Sequence, residues 1–276
     1  LDIILVLLVL VIVVTAAYSI KTYVDIKKSK DSEAALAELT TFDASASLNA
    51  SYGDVVFPDG ILDEYKAAYA ANQHLVGWIK VPNTLIDQPV VKCENNSAYL
   101  KYDFYRKSSA RGTIFMDYRN DIKGDDTSLI IYGHNFYDRT MFSDLEKYES
   151  LDFYKSSPVV EFNTIYEKKE WKIVSVFITT ATASEDNGYV FNYIYPFLQG
   201  DNYTQFLAEI KKRSLYNIPV DVNSSDKLLI LSTCTRMLDY SGTKADGRCV
   251  IVARALRDGE DSSVDASSAS VNNSAK

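Results

Sequence analysis

Histidine is scarce in this chain: His74 and His134 are the two present in 276 residues. Any chemistry that needs an imidazole must use one of them. Cysteine is nearly as rare, with Cys93, Cys234 and Cys249, and none stands in a CxxC pair or at the histidine intervals that zinc requires. No metal or organic cofactor is implied. An odd number of thiols leaves at least one unpaired or reactive. A basic excess is also lacking, because 29 Lys and Arg face 37 Asp and Glu for a net charge of −8. With no basic stripe to displace counterions from phosphates, nucleic acid is excluded as a partner.

What is plentiful points to β structure. Hydrophobic residues make up 47% of the chain, including 20 Tyr and 12 Phe, enough for one main core. Residues 3–20, IILVLLVLVIVVTAAYSI, carry no charge and would span roughly 27 Å as a helix, just enough for a bilayer. An uncleaved anchor is favoured over a signal peptide, whose apolar region is usually shorter, about 7 to 15 residues. Position 1 is Leu rather than Met, so a cytoplasmic flank is expected ahead of it. Lys21, Lys27, Lys28 and Lys30 follow the span, which by the positive-inside rule would put the folded domain in the cytosol.

Residues 21–60 read as a helical stalk and connector, with Asp31 as a helix N-cap and a Ser- and Ala-rich stretch at 40–53. A globular domain is expected over 61–257, opening on an amphipathic helix and continuing as about eight short strand-like runs with helical connections near 140–152 and 202–213. Short β segments with few helices between them predict a closed barrel. Residues 258–276, rich in Ser, Asp and Asn, read as a disordered tail.

Two of those runs frame the chemistry. Residues 228–231 (LLIL) and 249–255 (CVIVARA) read as buried strands, with a polar segment between them. Cys234 follows the first and Arg248 opens the second, so pairing the two strands would set a thiol opposite a guanidinium. A thiol becomes a nucleophile only with a base or imidazolium partner. His134, directly after the apolar run in SLIIYGHN, is the candidate; His74, near a helix C-terminus, suits a carbonyl-capping role. Cys249 alternates to the opposite face from Arg248 and reads as a core residue, and Cys93 reads as structural. Arg236 is a rival guanidinium inside the loop, whereas Arg254 lies too far along its strand. Asp239 and Asp246 read as solvated loop carboxylates.

LSTC with an Arg at the start of the next Val-rich strand, and YGHN about a hundred residues upstream, resembles the sortases, the cysteine transpeptidases of Gram-positive cell surfaces. The likeness is strongest to class B. VGWIKVPNTLIDQPVVK (76–92), GTIFMDYRND (112–121), SLIIYGHN (128–135) and MFSDLEKY (141–148) resemble class B segments in the same order. The resemblance implies an eight-stranded sortase barrel with peripheral helices. It also implies a single-pass anchor with the catalytic domain outside the membrane, against the positive-inside reading. Cys234, His134 and Arg248 would be catalytic. Tyr189 and Val190, in the long connection 180–197, would line the groove for a sorting-signal peptide, and Ser232, Thr233 and Thr235 would lie beside it. The aromatics of that connection could equally pack it onto the barrel. The accepting amine would belong to peptidoglycan or a pilin, in cell-wall anchoring of surface proteins. A hydrolytic cysteine protease and a membrane-tethered scaffold with an incidental thiol are the alternatives the residues themselves allow.

Overall fold

The computed structural model describes residues 2–40, 52–181, 190–234 and 247–275. Helix α1 (Asp2–Thr40) is continuous. Its portion Ile3–Lys28 is long and apolar enough to cross a membrane and is not buried against the rest of the protein. The helix start expected at Asp31 is not one: no Gly or Pro interrupts the sequence between Ile20 and Thr40, so the helix runs through. The connector expected at 40–53 lies almost wholly outside the described residues.

A short 3₁₀ turn, Asp63–Tyr65, and helix α2 (Lys66–Ala71) precede the first strand. The strands are β1 (Leu75–Lys80), β2 (Asp87–Val91), β3 (Phe115–Met116), β4 (Ser128–Tyr132), β5 (Val159–Thr164), β6 (Glu170–Thr180), β7 (Tyr216–Asn217), β8 (Leu228–Cys234), β9 (Gly247–Ala255) and β10 (Ser270–Val271). Eight of them close a barrel in the order β1-β2-β3-β4-β8-β9-β6-β5, and β7 pairs with β10 in a separate ribbon. Closure satisfies both edges of every barrel strand, as expected from the chain's many short apolar runs.

The unbroken apolarity of β8 and β9 follows from burial on both faces. Leu229, Leu231, Ile251 and Ala253 point into the barrel core with Trp171, Phe162 and Tyr148. Leu228, Ile230, Val250 and Val252 face outward and are covered by helix α4 (Gly200–Arg213). That helix buries Tyr203, Phe206, Leu207 and Ile210, a spacing of one apolar stripe over two turns. Helix α3 (Leu151–Ser156) follows a 3₁₀ stretch, Ser143–Glu149, in the other expected helical connection.

The C-terminal segment expected to be disordered is instead folded onto the barrel. Ala266 and Ala269 are buried, β10 pairs with β7, and the Asn272 N–H donates to the Leu215 carbonyl at 2.8 Å. Apolar area alone misjudged this stretch, because its anchorage is ionic. Arg254, 1% exposed, donates to Glu260 Oε2 at 2.6 Å and Oε1 at 2.7 Å, and Lys172 Nζ adds a third bond to Oε1 at 2.9 Å. The fork from Arg254 holds the Glu260 carboxyl far below the usual carboxylate range. Such a depressed group contributes its stability above its unfolded pKa of about 4.3 and loses it as pH falls below that value. Glu260→Gln removes the bidentate partner of a buried guanidinium and leaves it only the longer pairing with exposed Asp221. We expect it to cost about 3 kcal/mol, the low end for a buried pair because Glu260 is partly exposed. That corresponds to a midpoint roughly 6–12 °C lower in thermal unfolding, with the difference from the parent shrinking in acid.

Candidate active site

Three neighbouring strands, β4, β8 and β9, end on the same rim of the barrel. β4 and β8 are parallel and in register from Ser128↔Leu228 to Tyr132↔Ser232. The alignment continues past the strand: the Gly133 N–H donates to the Ser232 carbonyl at 3.3 Å, and Thr233 Oγ1 donates to the Gly133 carbonyl at 2.8 Å. Position 134 is thereby set level with position 234. On the other side, the antiparallel ladder of β8 and β9 pairs Cys234 with Arg248. With strands about 4.8 Å apart, the backbones of His134 and Arg248 flank that of Cys234 within roughly 10 Å of each other.

Gly133 makes the turn out of β4 possible. A Cβ there would meet the Phe142 ring at 2.7 Å, and Phe142 is fully buried. The His134 carbonyl accepts from Phe142 N at 2.9 Å, its ring lies 5.3 Å from that of Phe136, and Nε2 is 3.1 Å from the Leu100 carbonyl. A carbonyl oxygen only accepts, so Nε2 carries the proton of that bond. Nδ1 is then the nitrogen left for proton transfer. Asn135 donates to Glu146 at 2.7 Å, which fixes the loop beyond the ring.

Arg248 is half-buried at the start of β9, pairs in register with Thr179 of β6 and donates from Nη1 to the Gly247 carbonyl at 2.9 Å. Cys249, one residue on, is fully buried with its Sγ 3.7 Å from the Leu145 carbonyl. Burial, with Glu149 and Glu146 adding to it, pushes that thiol's pKa well up, so it stays protonated. His74 bonds Tyr99 Oη through Nδ1 at 2.9 Å, on the turn whose next residue, Leu100, holds His134. Burial and then Arg106 lower its pKa. Cys93 is a partly buried free thiol in the same region.

The expected peptide-binding residues divide. Tyr189 and Thr235, like Arg236, lie outside the described residues. Val190 is exposed. Ser232 and Thr233, expected to lie beside the peptide, are each 3% exposed with their hydroxyls engaged inside the protein, Ser232 Oγ with Tyr193 Oη at 2.8 Å and Thr233 with Gly133. They brace the rim rather than face a ligand, because a polar side chain buried at a strand end must find an internal partner. Two of the aromatics after Val190 pack inward, Phe191 stacking on Phe206 and Tyr193 meeting Phe177 edge-on, while Tyr195 and Phe197 are exposed. Sequence reading passed over Asp117, Arg119 and Tyr193. A charge directly following the apolar GTIFM run was the available signal for the first.

The Sortase domain family matches residues 79–256. Sortase B of Staphylococcus aureus is 32% identical over 258 residues, covering 93% of this chain and 97% of that relative. Sortase B of Listeria monocytogenes is 33% identical over 192 residues, covering 69% and 73%. The solved Staphylococcus aureus sortase B-substrate complex superposes with a TM-score of 0.70 at 29% identity, over 85% of this chain and 99% of that one. A barrel of this strand order, aligned to class B enzymes over nearly its whole length, settles the family: the chain belongs to the sortases, in class B, and is a cysteine transpeptidase.

Proposed function

We propose that Cys234 is the nucleophile of this transpeptidase, His134 its acid and base, and Arg248 the group that steadies the developing oxyanion. The observation that carries the reading is the register of three adjacent strands, which brings residues 134, 234 and 248 side by side at one rim. The Cys234 thiolate attacks the carbonyl carbon of a sorting-signal peptide, and the C=O electrons move to oxygen. The C–N bond then breaks as imidazolium Nδ1–H gives its proton to the departing amine, leaving a thioester. An incoming amine of peptidoglycan or a pilin attacks the thioester, its proton passes to His134, and the thiolate leaves. Nε2–H on the Leu100 carbonyl keeps the ring oriented in both charge states.

The peptide partner is supported by likeness to the Staphylococcus aureus enzyme solved with its substrate. Val190, at the described start of the segment above the rim, is assigned to the groove with Tyr189. Helix α1 is assigned as a single-pass anchor, with the barrel on the cell surface. The assay is product analysis on the detergent-solubilised chain with a library of sorting-motif peptides and an added amine. A ligated peptide is expected, formed at a rate that passes through a maximum with pH because thiolate and imidazolium must coexist. Cleaved peptide alone would assign a hydrolase instead, and a flat pH profile would remove His134 as the acid.

A further inference from the structure

Asp117, which follows β3, is fully buried, and its N–H extends the ladder to β4 by donating to the Ile130 carbonyl at 2.9 Å. A carboxylate in such a place is tolerated only when donors surround it. Oδ1 accepts from Arg119 N at 3.0 Å and Arg119 Nε at 2.8 Å. Oδ2 accepts from Arg119 Nη2 at 2.9 Å, Tyr132 Oη at 2.8 Å and Asn96 Nδ2 at 3.0 Å. Burial alone would raise its pKa, but these donors, those of Arg119 foremost, hold the carboxyl below its ordinary range.

Two of the donors lead to the two strands that end at the active site, one directly and one through the 190–199 segment. Tyr132 is the last residue of β4, two before His134. Arg119 Nη2 reaches onward to the Ile194 carbonyl at 2.9 Å. The neighbouring Tyr193 hydroxyl holds Ser232 Oγ at 2.8 Å, two residues before Cys234 on β8. Residues 190–199 have no helix or strand of their own. They are pinned by Arg119 at Ile194, by Ser128 N on the Pro196 carbonyl at 3.0 Å, and by Leu198 N on Thr127 Oγ1 at 2.9 Å. The first of these pins lies nearest to Val190.

We infer that Asp117 is a positioning residue for transpeptidation: through Tyr132 and Arg119 it fixes the end of the His134 strand relative to the 190–194 lip and the end of the Cys234 strand. The inference rests on His134 and Cys234 being the reacting pair. It needs no contact between Asp117 and the peptide. A purely structural ion pair would affect unfolding alone, whereas a positioning network alters turnover and peptide binding separately.

The test uses the full chain in detergent, with kcat and KM for peptide cleavage measured beside the unfolding midpoint. Asp117→Asn is the direct variant, and Tyr132→Phe and Arg119→Lys keep the question open if it fails to fold. Tyr132→Phe removes one hydroxyl from the carboxylate and is expected to lower kcat by about 5- to 20-fold with KM nearly unchanged, the signature of a displaced catalytic group. Arg119→Lys, which cannot span both Asp117 oxygens and the Ile194 carbonyl, is expected to raise KM by about 3- to 10-fold with little change in kcat. The double variant should fall short of the product of the singles, because both act through one carboxylate. Midpoints that drop while kcat and KM stay within about twofold would overturn the inference, as would a double variant equal to that product. Cys234→Ala, run alongside, separates the two failures. If it still cleaves, the reacting pair itself is wrong; if it is inactive while the network variants match the parent, only the role of Asp117 falls.

Discussion

Cys234→Ala is expected to lower peptide cleavage by about 10⁴-fold or more while leaving the unfolding midpoint close to that of the parent. The size follows from the chemistry: without sulfur no thioester forms, and only binding and oxyanion stabilisation remain to favour attack by water. The spared stability follows from the fold. The ladder that pairs residue 234 with Arg248 is made by backbone groups, which alanine retains. Cleavage kinetics on the solubilised chain, read beside thermal unfolding, check both halves. An alanine variant with near-parental turnover would return the molecule to the scaffold alternative. His134→Ala should approach the same loss, because members of one reacting unit are not additive. Cys249 cannot substitute, because it is sealed in the core with its thiol protonated.

Arg248→Lys is expected to lower kcat by about 10²-fold, the scale of removing one oxyanion donor from a preorganised site. Arg248, the second residue of β9, lies between Thr179 of β6 and Cys234 of β8, so its backbone is paired on both sides. A side chain based there starts from a fixed point, and its planar fork presents two donors where lysine offers a single mobile ammonium. Lysine retains the positive charge, so the variant separates geometry from charge. Near-parental kcat in Arg248→Lys would mean that charge alone suffices. Arg236→Ala is the companion control, expected to leave kcat near the parent; a severe loss there instead would move the oxyanion role into the loop.

Much of this architecture could be read from residue order because the physics behind it is local. Leu228 to Leu231 and Val250 to Val252 are apolar without alternation, and strands buried on both faces must be. The glycine before His134 signalled a turn, and the Phe142 ring against it explains why no side chain fits. What escaped reading depends on long-range polar pairing. The segment after Leu256 has too few apolar residues to predict order, yet Glu260 finds Arg254 and Lys172 at the base of the barrel. Asp117 carries no local mark of its role, because its partners Tyr132 and Arg119 converge on it only in the folded protein. Ser232, which the resemblance places beside the peptide, bonds Tyr193 from a connection 39 residues away.

The parallel pairing of β4 with β8 has a consequence for the life of the enzyme before it is folded. Parallel neighbours cannot be joined by a tight hairpin, and here β5, β6, α4 and β7 all lie between them in the chain. Positions 134 and 234 are therefore brought level only after that whole excursion has been laid down, a pairing of high sequence separation and correspondingly late formation. On the proposed pairing of His134 with Cys234, a nascent chain carries its sulfur unmatched until the barrel shuts, and reactivity arrives together with the finished fold.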